Sequence, residues 1–70
     1  MRPLDVLSRA KGKEITVALK NGETYSGKLK AFDIHLNLVI FEAELLKEEK
    51  SEEIGDMVIR GDAIVTIKNI

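Results

Sequence analysis

The sequence has no cysteine and no tryptophan, and only one proline, one histidine and one tyrosine. Without cysteine there is no disulfide framework and no thiolate zinc site, and a single histidine leaves too few convergent ligands for another metal centre. No metal or cofactor is expected. Long apolar runs are also missing: the longest, Leu36 to Phe41, is interrupted by Asn37 and falls far short of the roughly 20 residues of a membrane span. The opening Met1-Arg2-Pro3-Leu4-Asp5 lacks the apolar stretch of a secretory signal, so a cytoplasmic protein is expected. Nor is there a charge excess. Eleven basic against twelve acidic residues give a net charge of −1, too balanced for the basic surface of a non-specific duplex-DNA binder. Any nucleic-acid site must be local.

What is present is one small domain, residues 1–70. Below roughly 70–80 residues a lone core rarely supplies more than about 3–5 kcal/mol. With disulfides and metals excluded, association between subunits is the remaining source of stability. Pro3 suits the first turn of a helix, with Leu4, Leu7 and Ala10 on one face and Gly12 as its stop. Ile15, Val17 and Leu19 alternate with polar or small residues, the period of a half-buried strand. Asn21-Gly22 predicts a type I′ turn into a second strand, Glu23 to Phe32, in which Tyr25, Leu29 and Ala31 face inward. Gly27 in mid-strand marks a sharp bend or the close approach of another backbone. Leu36 to Ala43 reads as a third strand, apolar on both faces. The charged stretch Lys47 to Glu53 reads as a solvated loop or hairpin tip. Met57 to Arg60 and Ala63 to Ile67 are two further short strands around Gly61-Asp62. One helix and five short strands predict a mainly β chain, a small barrel or strongly bent sheet.

Two clusters place polar groups at strand ends: Asp33, His35 and Asn37 between the second and third strands, and Arg60, Gly61 and Asp62 between the fourth and fifth. Here the chain resembles the Sm and Sm-like family, in particular its archaeal members. Gly27-Lys28-Leu29, Asp33 and His35-Leu36-Asn37 are similar to the first Sm motif. Val58 to Ile67, centred on Ile59-Arg60-Gly61-Asp62, is similar to the second. The resemblance runs over nearly the whole chain. It implies the Sm fold, a helix on an open, highly bent five-stranded antiparallel barrel. It also implies a closed ring of six or seven identical subunits, strand four of one pairing with strand five of the next.

The implied ligand is uridine-rich single-stranded RNA at the pore, in RNA processing or turnover, with RNA-processing proteins as further partners. His35 offers a flat face for a base and Arg60 a planar guanidinium for the other side. By the resemblance, Asn37 bonds the Watson–Crick edge of uracil and Asp33 orients its amide. Gly61 and Asp62 shape the neighbouring turn and offer backbone N–H groups to base or phosphate. A ring repeats the pocket, so that weak single contacts add as avidity.

Taken singly, Asp33, His35 and Asn37 read as turn-capping residues; their joint occurrence with Arg60-Gly61-Asp62 favours RNA. An enzyme using Asp33 and His35 as an acid–base pair is disfavoured, because no nucleophile stands beside them. A structural or protein-binding ring with little RNA affinity is the alternative. Leu36 stands where the family commonly has Met, a near volume-conserving difference. The bacterial Sm-like chaperones carry a Tyr-Lys-His stretch in the second motif, and Arg60-Gly61-Asp62 argues against that branch. The absence of an extension or tail disfavours a eukaryotic mixed-ring subunit.

Overall fold

In the computed structural model, which describes residues 1–70, helix α1 (Pro3–Ala10) precedes five strands: β1 (Glu14–Leu19), β2 (Thr24–Phe32), β3 (Leu38–Leu45), β4 (Glu52–Ile59) and β5 (Ile64–Lys68). Pro3 opens the helix, and the Asp5 carboxylate accepts from the backbone N–H of Arg2 at 3.3 Å, tying down the first turn. Leu7 and Ala10 are buried and join the sheet's core.

All five strands form one antiparallel sheet in the order β4-β3-β2-β1-β5. Alternation places Ile15 and Val17 of β1, Tyr25 and Leu29 of β2, Leu38, Ile40 and Ala43 of β3, and Ile59 of β4 in a single core with the helix. Register shifts interrupt the β1–β5, β2–β3 and β3–β4 ladders. Each inserted residue bends its strand and increases the local twist. At Gly27 a Cβ would run into Ile40 Cγ2 and stand 3.0 Å from the Phe41 carbonyl oxygen. The expected close approach is therefore that of β3.

The sheet is not closed within the subunit. β4 and β5 are its two edges, so the open-barrel expectation describes a bent sheet with two unpaired sides. Other expectations need larger corrections. The hairpin after β1 is not type I′, which needs positive φ at both central residues. The bond from Gly22 N–H to Leu19 O makes Lys20 and Asn21 central, and only Gly22 has positive φ. Asn21 instead accepts from the Glu23 N–H through its side chain at 2.9 Å.

The third strand starts at Leu38, two residues late, because Leu36 has a φ of 62° that no strand accommodates. It is also not apolar-buried on both faces: Phe41 is exposed, with the Lys30 ammonium 5.2 Å from its ring centre. β4 extends back to Glu52, into the charge run read as loop. The first five residues of this edge strand are exposed and tolerate carboxylates, and Glu52 and Glu53 pair with Leu45 and Glu44 of β3. Only residues 46–51 remain as the connection, closed by Lys47 Nζ on Glu52 at 2.7 Å.

Candidate nucleic-acid interface

The turn from β2 into β3 is organised by one carboxylate. Asp33 Oδ1 accepts from the backbone N–H of His35 at 2.9 Å and of Asn37 at 3.0 Å. Its Oδ2 accepts from the Asn37 side-chain amide at 3.0 Å. The turn is closed by Leu36 N–H on Asp33 O at 3.0 Å and Asp33 N–H on Asn37 O at 3.2 Å. An ionised carboxylate suits this arrangement best, since all three approaching groups are donors.

That arrangement shifts the acid. The Asn37 amide, and then the two backbone N–H groups, hold the Asp33 carboxyl below its ordinary range against an opposing desolvation. Because the folded value is the lower one, the contribution is complete above the ordinary carboxylate range and is lost as pH falls through the depressed value. The amide NMR signals of His35 and Asn37 should therefore share an acidic transition, with a midpoint below that of an ordinary aspartate. A shared midpoint at or above the ordinary Asp value would contradict the geometry.

The second cluster meets the first through Asn37, whose Oδ1 accepts from the Gly61 N–H at 2.8 Å across 24 residues of chain. Asn37 is thus held from both sides, its nitrogen toward Asp33 and its oxygen toward Gly61. At Gly61 the main chains nearly touch: a Cβ there would overlap the His35 carbonyl oxygen and stand 2.9 Å from the Leu36 carbonyl carbon. Glycine is needed here for lack of space, not for an unusual φ. Arg60 and Asp62, on either side of it, pair at 2.9 Å between exposed side chains.

The structure therefore brings five of the expected residues into direct contact as Asp33–Asn37–Gly61, His35 backbone to Asp33, and Arg60 joined to Gly61; Asp62 enters through Arg60. His35 and Arg60 are both exposed, at the two ends of the His35–Gly61 contact. One expectation changes. The single N–H of Gly61 is already donated to Asn37, so it is not free for base or phosphate.

Three further residues were not among the expected site residues. Leu36 carries its positive φ between His35 and Asn37, and a bulky apolar side chain gives no signal of that conformation. Val58 and Val65 are 64% and 61% exposed on the edge strands β4 and β5. Their signal was readable as apolar residues at outward positions of strands whose inward positions are also apolar.

The LSM domain family model matches residues 5–69. This chain belongs to the LSM family. An snRNP Sm-like protein of Thermococcus sibiricus is 44% identical to this LSM chain over 70 residues, covering 99% of it and 92% of the relative. An Sm protein of Pyrococcus abyssii, solved in complex with a uridine heptamer, is 41% identical with a TM-score of 0.88, covering 96% of each chain. A heptameric archaeal Sm protein superposes with a TM-score of 0.89 at 30% identity, covering 94% of this LSM chain and 97% of its own.

Proposed function

We propose that this LSM chain is the subunit of a homo-oligomeric ring that binds uridine-rich single-stranded RNA at its pore, in RNA processing or turnover. The observation that carries this reading is the Asn37 amide locked between the Asp33 carboxylate and the Gly61 N–H. After those two bonds the amide keeps one proton and one lone pair. Those suit uracil, whose N3–H donates and whose neighbouring carbonyl accepts. Cytosine presents the reverse order at the same edge. An amide that cannot flip therefore distinguishes the two pyrimidines in a common pose. His35 and Arg60, exposed beside it, supply flat surfaces for the two faces of the base, at about 1–3 kcal/mol per stacked base.

Assembly follows from the two open edges. β4 and β5 each present unpaired backbone groups and an exposed valine. Pairing β4 of one copy with β5 of the next, with a rotation that closes, removes every edge at once. Seven copies is the number supported by the heptameric relative. The ring repeats one weak pocket around one opening, and a bound nucleotide presents its neighbours at high effective concentration.

The test is equilibrium binding of labelled oligouridine, oligocytidine and oligoadenosine to the purified oligomer at two salt concentrations. Uridine-preferring, moderately salt-sensitive binding is expected. Binding to none of the three would shift the reading to a protein-binding ring.

A further inference from the structure

Leu36 stands between the residue proposed to stack on the base and the residue proposed to read it, and it has a φ of 62°. For a branched, bulky side chain that conformation is a true outlier, held only where surrounding structure over-determines it. What holds it is visible. The side chain is half-buried and packs against the core cluster. It lines the space beside Pro3 and Leu4 of α1, and also the groove it shares with Leu7, Gly61 and Ile64. Its carbonyl carbon lies against Gly61, and its N–H closes the turn onto Asp33 O.

The left-handed step has a geometric result. It reverses the chain tightly enough for the N–H groups on both sides of Leu36, those of His35 and Asn37, to reach the same oxygen of Asp33. An extended residue at this point would carry Asn37 away from that oxygen, as it would in the continuous strand expected from sequence.

We propose that Leu36 is a positioning residue for RNA binding: packed against the core, with its main chain against Gly61, its side chain holds the left-handed turn that sets the His35 ring and the Asn37 amide in one binding geometry. This rests on the uridine-binding reading above. The residue touches no base itself. Its role divides into two separable parts, access to positive φ and the apolar anchor, and substitutions can remove one without the other. Glycine and asparagine reach positive φ readily but lack the anchor. Methionine keeps an apolar anchor of near-equal volume.

The experiment measures oligouridine and oligocytidine binding for wild type, Leu36→Gly, Leu36→Asn and Leu36→Met, each as the assembled oligomer verified by native mass. Relief of backbone strain alone would leave the Gly and Asn variants as tight and selective as wild type, or better. The positioning role predicts the opposite: uridine affinity falls by about tenfold or more in both, the uridine-to-cytidine ratio contracts, and Leu36→Met restores both values. Should Leu36→Gly fail to assemble, Leu36→Asn carries the same comparison. Wild-type selectivity in an assembled Gly or Asn variant overturns the proposal. Absence of uridine binding by the wild type would instead overturn the RNA reading on which it rests.

Discussion

Replacing Gly61 with valine should abolish measurable oligouridine binding while lowering the melting temperature of the oligomer. The first new atom is the one that matters. A Cβ at this position overlaps the His35 carbonyl oxygen and stands 3.0 Å from its carbonyl carbon, and both are main-chain atoms that no rotamer change can clear. Relief requires the two turns to part, and parting them stretches the 2.8 Å bond from Gly61 N–H to Asn37 Oδ1. Forced overpacking of this kind costs about 1–3 kcal/mol, and each kcal/mol lowers the melting temperature of a domain this size by about 4–8 °C. In the proposed ring every pocket is altered and avidity compounds the loss, so binding should suffer more than folding. Since the conflict arises at Cβ, alanine should do nearly as much as valine. A Gly61→Ala oligomer that binds oligouridine as tightly as wild type would show that the contact between the turns is not needed.

Asp33→Asn is expected to weaken the preference for uridine over cytidine, although it changes only an oxygen to an amide nitrogen. Three donors converge on the two oxygens of Asp33: the N–H groups of His35 and Asn37 on one, the Asn37 side chain on the other. An asparagine has a single acceptor to set against them. Whichever way its amide is turned, an NH2 group faces a donor, and an unmet or opposed polar pair costs more than a missing one. The Asn37 amide then loses the partner that fixes its nitrogen. Selectivity should contract by roughly tenfold, the scale of one lost, well-aligned hydrogen bond, with affinity for both pyrimidines reduced less. Competition binding with mixed oligonucleotides measures this ratio directly. A ratio equal to that of wild type in a folded Asp33→Asn oligomer would mean that the amide is oriented by Gly61 alone.

The two predictions act on different links. Gly61 concerns the space between two backbone segments, and Asp33 the polarity of one acceptor. The acid titration of the turn joins them, since protonating Asp33 removes the same acceptor that asparagine lacks. Both are expected to act through Asn37, whose amide Asp33 and Gly61 hold from its two sides.

Much of this was legible in the chain. The period-two patterns of Ile15, Val17 and Leu19, and of Tyr25 and Leu29, identified the inner faces of β1 and β2, because alternation is a direct consequence of strand geometry. The resemblance to the Sm motifs grouped Asp33 with Asn37 and set Gly61 and Asp62 in a neighbouring turn, whereas the residues taken singly read only as turn-formers. The absence of cysteine and the small size pointed to association between subunits, and the two open edges supply the surface for it.

Other features depended on contacts distant in sequence. A positive φ at Leu36 runs against the intrinsic preference of its side chain, and packing against the core together with the hydrogen bonds of the turn maintains it. The strand start was therefore misplaced by two residues. Glu52 and Glu53 read as loop because carboxylates avoid cores, yet the first part of this edge strand is exposed and nothing there forbids them. Gly61's N–H could be counted as a donor from the sequence, but only the fold decided that Asn37 receives it. Composition and periodicity determined which residues must be inside and which must turn, since those are local properties of side chains and backbone. The tertiary structure decided which polar groups satisfy each other, since a hydrogen bond between residues 37 and 61 exists only once β3 and β4 have brought their ends together.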